Sequence, residues 1–524
     1  LVETRASRVQ VALAARTRVT GEDGPVAARR FLEEPGLVAE ELATDARPGQ
    51  AVTAEKVVAL FTSRDRAIAE AGDAARGRLA RLADGFDALL ERHTLAWDQL
   101  WRRCRIDLGD GGDAEVARAL NVHVFHLLQT VSEHTIDLDA GVPARGLHGE
   151  AYRGHIFWDE LFIFPFLNLR FPELTRALLR YRARRLPEAR YAARAAGYRG
   201  AMYPWQSGSD GREETQRLHL NPRSGRWLPD RSHRQRHVNA AVAWNVWQYY
   251  QATGDLAFLR GYGAEMLLEI ARFWASIASY DRALDRYQIL GVMGPDEYHD
   301  GYPDREEPGL DNNAYTNVMA AWVLCRALET VALLGDHCQA ELTERIGLGP
   351  EELERWDEIS RKLVVPFHDG DIISQFEGYG DLEELDWDGY RSRYGNIQRL
   401  DRILRAEGDD PNRYKAAKQA DTLMLFYLFP DAELQRLFAQ LGYELSPEVM
   451  RRTIEYYDRR TSHGSTLSLI VHAGVLAGLD PESSWERFIV ALHSDVGDMQ
   501  GGTTPEGIHT GVMAGTLDLV QRIY

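Results

Sequence analysis

Along the first 64 or so residues, apolar and polar positions alternate with the two-residue period of half-buried strands. VTAEKVVALFTS, at 52–63, is the clearest case: it is rich in β-branched residues and follows the turn-forming stretch ARPGQA. The period then changes. From 70 to 103 the chain is charged throughout and carries Leu79, Leu82, Phe86, Leu89 and Leu90 at helical spacing, which predicts a linker helix. RIDLGDGGD marks a boundary, beyond which helical periodicity dominates: 114–133, 172–195, 233–253, 256–280, 311–335, 351–365, 411–429, 465–478, 481–494 and 504–524. Almost nothing between these segments reads as a strand. The connections are instead long and dense in aromatic residues, Gly, Pro and acids, and loops of that length inside a compact domain are usually functional. The pattern therefore predicts the last part of a β domain, a helical linker, and a large helical domain. Alternating helices with elaborated loops suggest a helical toroid; no fixed repeat period points to a solenoid.

Charge narrows the function classes. Lys and Arg total 61 against 79 Asp and Glu, a balance of −18, which argues against nucleic acid or an anionic membrane as partner. An anionic ligand must then be held by local groups. No apolar run approaches the ~18 residues of a membrane span. Cys104, Cys325 and Cys338 are too few and too scattered for a disulfide framework or a metal site, so they are expected to be buried thiols in a reducing, cytoplasmic setting. The chain opens without Met, inside a strand-like pattern, as the middle of a longer polypeptide would.

Five stretches carry candidate chemistry. In GVMGPDEYHD, 291–300, a turn ending a helix would be sufficient reason for Gly, Pro and acids. However, Glu297 is followed by Tyr298 and His299, and a carboxyl among such side chains loses hydration and keeps its proton, as a general acid must. In HIFWDE, 155–160, Asp159 beside Trp158 reads either as a helix cap next to a buried ring or as a sugar site, where an indole stacks on C–H faces and a carboxylate takes hydroxyls. Trp205 with Gln206, and Trp244 with Asn245, repeat the pairing. Lys418 and Gln419 open an apolar helical pattern as either a solvated first turn or a cavity-facing one. RRTSHGSTLS, 459–468, is a good helix cap and equally an anion site, since a helix start aims N–H groups and its positive end at whatever sits there. In GGTTPEGIHTG, 501–511, Glu506 and His509 fall on the first turn of the last helix, as a stabilising acid or as a second functional carboxylate.

Taken together, GHIFWDE, YPWQSGSDGREET, LHLNPRSGRWLPDRSHRQRHV, GVMGPDEYHDG, DNNAYTN, KQADTLML, RRTSHGSTLS and GGTTPEGIHTGVMAGTLDLVQ resemble, in order and over nearly the whole chain, glycoside hydrolase family 65. That family contains disaccharide phosphorylases for trehalose, kojibiose, maltose and nigerose, and acid trehalases. The resemblance implies a mainly α fold: an (α/α)6 barrel at 111–524, preceded by a helical linker at 67–110 and the tail of a β-sandwich at 1–66, with the rest of the sandwich and a C-terminal β domain falling outside the chain. It implies Glu297 as general acid, and Trp158, Asp159, Lys418 and Gln419 around the non-reducing glucosyl unit. His463, Gly464, Ser465 and Thr466 would form the phosphate-binding turn. Trp205 and Glu506 are further substrate contacts on the reading above. No metal or cofactor is implied, inorganic phosphate being a co-substrate, and relatives suggest a homodimer.

Inversion at an anomeric carbon requires an acid on the leaving oxygen and a nucleophile on the opposite face. Water needs a carboxylate base, whereas phosphate needs donors. SHGSTLS offers donors and no acid, so the expected reaction is phosphorolysis of an α-linked glucosyl disaccharide, of trehalose or kojibiose type, to β-glucose 1-phosphate and a sugar. An inverting α-glucosidase or trehalase with Glu506 as base, and an inactive sugar-binding protein, are the alternatives. The acceptor sugar is expected to meet loops such as 301–313 and 376–396.

Overall fold

The computed structural model describes residues 1–524 apart from 6, 22, 23, 26, 27, 46, 84, 110, 111 and 501. The chain divides into two compact units, Leu1–Arg105 and Ile106–Tyr524.

In the first unit, the predicted alternation produces an antiparallel pair. Strand Gln10–Gly21 lies against Val52–Thr62 in a register running from Val11 opposite Thr62 to Gly21 opposite Val52. Arg29–Glu34 and Leu37–Leu42 form a separate hairpin. Alternation sends Ala12 and Val57 inward. The expected linker helix is in fact two, Ala71–Arg81 and Phe86–Cys104, parted around Gly85. Glu70 starts the first: its two carboxylate oxygens accept from the N–H groups of Gly72 and Asp73. This satisfies donors that a helix start leaves unpaired.

The second unit is mostly helical, with three two-residue to four-residue hairpins such as Leu218–Asn221 with Arg226–Pro229. Its helices fall into two kinds. Val238–Thr253, Ala314–Leu333 and Leu467–Leu476 are buried nearly all round, while Pro350–Lys362 and Pro447–Asp458 bury one face only. Helix Glu160–Arg170 packs on Val238–Thr253, which packs on Ala314–Leu333; Leu423–Leu428 packs on Leu467–Leu476, that on Thr510–Arg522, and Thr510–Arg522 returns to Glu160–Arg170. The Ala314–Leu333 helix is by length and composition able to cross a membrane, against the expectation that no segment would be. However, 67% of its apolar window is buried in the protein, as in a core helix.

Several predicted helices change on folding. The 172–195 segment breaks at Arg185, with Pro187 starting Leu186–Ala195. Within 411–429 only a 3-10 turn and Leu423–Leu428 are helical. The N–H groups of Ala417 and Lys418 are taken by the Arg460 carbonyl and by Asp296 Oδ1, so Lys418 and Gln419 do not open a helix. Glu506 lies on a 3-10 turn, Thr504–Glu506, and His509 precedes the last helix, because Gly507 at φ +124° turns the chain between them. Cys104 is buried as expected; Cys325 and Cys338 are only half-buried.

Candidate active site

A cavity of about 960 Å³ in the second unit is lined by Trp158, Asp159, Trp205, Glu297, Lys418 and Gln419, and also by Gly464, Ser465, Thr466 and Glu506. Segments as far apart in the chain as Trp158 and Glu506 thus contribute to one site. Its volume suits a small ligand such as a disaccharide.

The stretch 291–300 sends its adjacent acids in opposite directions. Asp296 is buried and saturated: its carboxylate takes the Lys418 N–H at 2.6 Å, His299 Nδ1 at 2.5 Å and Gln375 Nε2 at 2.9 Å. Glu297, at φ +64°, turns into the cavity. A positive φ is uncommon for a residue with a side chain and marks a conformation that the surroundings enforce. The aromatic neighbours do not surround this carboxyl, as the sequence suggested. Tyr298 hydroxyl points away to Ser462 and the Gln398 carbonyl, and His299 pairs with Asp296. What faces Glu297 is Lys418, whose Nζ contacts Oε2, and Gln235, whose Nε2 donates to Oε1 at 3.1 Å. Gln235 is in turn held by His237, Nε2 to Oε1 at 3.0 Å. Burial drives His237 down to about 3, so its ring is neutral.

Trp158 and Trp205 form one aromatic wall, ring centroids 6.0 Å apart, each edge-on to His237 at 4.9 and 5.2 Å. Asp159 sits beside it; burial is the main cause of its rise to about 7, with Glu297 among the charges that add to it. An apolar wall beside a carboxyl is suited to a sugar ring. Gln206 also lines the cavity, paired with His155 at 2.8 Å. Trp244 and Asn245 do not belong here: the Trp244 ring is packed against Trp322 and Phe429 in the core, centroids 4.9 and 5.0 Å away. The loops 301–313 and 376–396 contribute no lining residue among those described. Their place is taken by 148–152, 215–232 and 399–402.

At the fourth motif the turn precedes helix Leu467–Leu476. Gly464 N–H donates to the Lys418 carbonyl at 2.8 Å, while those of Ser465, Thr466 and Leu467 have no acceptor among the described residues. Thr466 Oγ1 is buried without a partner. Unpaired buried donors at a helix start are costly unless a ligand takes them, and an anion is the ligand they suit. His463 stands apart. Its Nδ1 meets Ser468 Oγ at 3.0 Å, its ring lies edge to face with His472 at 4.6 Å, and it lines a different cavity with Asp458 and Arg487. Burial holds this imidazole well below its usual range, hence neutral, so the structure gives the turn without the His463 side chain. Asp458, His463 and His472 bring ligand atoms within 4.8 Å of one another. Arg487, 3.9 Å from Asp458, already supplies positive charge there.

Gln235 and His237 were not singled out by sequence reasoning, although they lie within a quoted motif; a polar pair at the start of a helix gives no sign of what it faces.

Residues 121–518 match the glycosyl hydrolase family 65 central catalytic domain, and residues 1–100 the N-terminal domain of that family. The chain belongs to glycosyl hydrolase family 65. Among relatives, this family member is 54% identical over 523 residues to an uncharacterized glycosyl hydrolase of Mycobacterium tuberculosis, covering 100% of the chain and 39% of that protein. It is 38% identical over 527 residues to the trehalose 6-phosphate phosphorylase of Lactococcus lactis, covering 100% of the chain and 65% of the relative. It is 36% identical over 502 residues to the kojibiose phosphorylase of Caldanaerobacter subterraneus, covering 93% and 60%. The chain thus spans less than two thirds of each of these relatives. A solved structure from the human microbiome, named for kojibiose phosphorylase, superposes with a TM-score of 0.79 at 22% identity, over 99% of this chain and 63% of that one; this is a likeness of fold alone.

Proposed function

We propose that this chain carries the active site of a phosphorylase that cleaves an α-linked glucosyl disaccharide with inorganic phosphate, releasing β-glucose 1-phosphate and a sugar. One observation carries the reading: Glu297 and the unpaired donors of the 465–467 turn open into the same cavity, and Lys418 touches both, through its Nζ on Glu297 and its backbone carbonyl on Gly464. The family's named phosphorylases support it. The succession of helix neighbours, closing from Thr510–Arg522 back onto Glu160–Arg170, supports an (α/α)6 ring with this cavity at its mouth.

On this reading the glucosyl unit lies on Trp158 and Trp205, with its hydroxyls on Asp159, Lys418 and Gln419. Glu297 gives its proton to the bridging oxygen as the C1–O bond breaks. Hydrogen phosphate, held by the Ser465, Thr466 and Leu467 N–H groups and Thr466 Oγ1, forms the new C1–O bond from the opposite face. The proton that phosphate loses on becoming an ester balances the one Glu297 gave up. Glu506 is the base that hydrolysis would need; it lines the cavity but is exposed, with Arg402 among the charges near it, while the donor turn has no role with water as nucleophile.

The test is disaccharide turnover with and without inorganic phosphate, with product anomer followed by NMR. Phosphate-dependent β-glucose 1-phosphate is expected; free glucose at a rate that ignores phosphate would refute the reading.

A further inference from the structure

The cavity holds more positive charge than the reaction above uses. Lys418, Arg145, Arg399, Arg231 and Arg402 all line it. Three of these are committed. Lys418 meets Glu297, Arg145 Nη1 donates to the Gly507 carbonyl at 2.8 Å, and Arg399 grips Asp401 through two bonds of 3.1 and 2.9 Å. Arg231 and Arg402 differ: among the described residues neither guanidinium has a hydrogen bond or an ion pair, and both are half-buried. Asp401, the acid next to Arg402, is the one Arg399 already holds. Burial is the main influence against the charge on Arg402, the neighbouring Arg399 adds to it, and Asp401 and Glu506 only partly offset them.

These arginines sit on elements that serve neither the glucosyl unit nor the donor turn. Arg231 follows strand Arg226–Pro229, and Arg402 is on helix Leu400–Glu407. The two elements are joined, since Asn221 Nδ2 of the same hairpin donates to the Arg402 carbonyl at 3.1 Å. The side chains therefore share a rigid support. A sugar hydroxyl can be read by a neutral amide or a carboxylate, so leaving two unpaired guanidiniums for it has a cost without a return. A phosphate ester matches the planar fork of a guanidinium and replaces the water it has lost. The names of the relatives divide on this point, one acting on a phosphorylated disaccharide and another on an unphosphorylated one.

We propose that the leaving sugar carries a phosphate ester, and that Arg231 and Arg402 bind it. The inference rests on the phosphorolysis reading and assigns its substrate class: a glucosyl sugar phosphate plus inorganic phosphate gives β-glucose 1-phosphate and a sugar phosphate. The bond between C1 and the bridging oxygen is replaced by one between C1 and a phosphate oxygen, and the ester on the leaving sugar is untouched.

The experiment runs the reaction in reverse. β-Glucose 1-phosphate is supplied with either glucose or glucose 6-phosphate, and released inorganic phosphate is measured. Glucose 6-phosphate should exceed glucose in kcat/KM by roughly tenfold or more, one good charge-assisted contact being sufficient for that. R402Q and R231Q should shrink this ratio, and R402K, which keeps charge but not the fork, should restore part of it. An uncharged acceptor that equals glucose 6-phosphate would overturn the proposal. So would R402Q variants whose ratio is intact but whose KM for inorganic phosphate rises in the forward direction, since Arg402 would then belong to the nucleophile. Phosphate release with no acceptor at all would refute the phosphorolysis reading, and this one with it.

Discussion

Gly464 offers the sharpest test of the donor turn. A Cβ added there would lie 2.3 Å from the Gln398 carbonyl oxygen and 2.9 Å from Lys418 Cγ. The second contact can be relieved by rotating a lysine stem, but the first is to backbone and cannot. An ordinary contact begins at 3.4 Å, so Gly464→Ala forces the turn to recede by about 1 Å, the difference of the two distances. A hydrogen bond of ordinary length stretched by that much is lost. Losing one charge-assisted N–H contact to phosphate costs about 1.5–3 kcal/mol, which weakens phosphate binding by about 10- to 150-fold. The assay is calorimetric titration of inorganic phosphate into wild type and variant, with circular dichroism to confirm that both are folded. Trp158, Trp205 and Asp159 on the glucosyl side are untouched and only Lys418 is disturbed there, so sugar binding should change less than phosphate binding. A folded Gly464→Ala protein that binds phosphate within about twofold of wild type would refute the assignment of this turn.

Other perturbations separate the remaining roles. Glu297→Gln should lower kcat for a disaccharide by about 10²- to 10⁴-fold and spare turnover of α-glucosyl fluoride with phosphate, whose leaving group needs no proton; equal losses on both substrates would remove the acid role. Gln235→Ala frees Glu297 Oε1 and should cost kcat about tenfold with KM little changed, and with the pH profile of kcat displaced; an unmoved profile would make Gln235 merely structural. Burial, helped by Asp296, lifts the Asp421 carboxyl to about 8. The native state therefore keeps a proton that the unfolded chain gives up above about pH 4, and this group's contribution is fully present below that pH and lost as pH rises toward 8. Asp421→Asn should flatten the wild-type stability decline between pH 5 and 7.5, read by denaturant unfolding, by up to about 1.4 kcal/mol per pH unit; parallel curves would refute the shift.

The helical character of residues beyond about 110 was legible because burial on one face imposes a 3.6-residue period on Pro350–Lys362 and its like. Helices buried all round carry no such period. Glu160–Arg170, with sequence ELFIFPFLNLR and Pro165 inside it, passed unnoticed for that reason. Conversely, the apolar run after Lys418 looked helical from its first residue, although the N–H groups there are spent on Asp296 and the Arg460 carbonyl. Such long-range acceptors have no local signature. The site residues were found as types rather than as orientations: Trp158, Asp159, Lys418 and Ser465 share a cavity, whereas His463, one residue before the turn, faces away.

Orientation also determines which of the two adjacent acids is available for chemistry, and it does so through residues the sequence kept silent. His237 is buried and neutral, and its Nε2 can meet Gln235 Oε1 only as donor. The amide is thereby turned so that its Nε2 must face Glu297 Oε1. Lys418 takes the other oxygen. Both oxygens of Glu297 thus accept hydrogen bonds. One of them has to be released before Glu297 can act as an acid. Gln235 is locked by His237, so the partner that gives way is Lys418, and an anion on the neighbouring Ser465–Leu467 turn is the group able to draw its ammonium aside. On the phosphorolysis reading the nucleophile therefore helps to arm the acid. Glu297→Gln, which leaves Lys418 without its carboxylate partner, should then bind phosphate more tightly than wild type. Calorimetric titration of inorganic phosphate into both proteins measures it directly; equal affinities would show that Lys418 and the turn act independently.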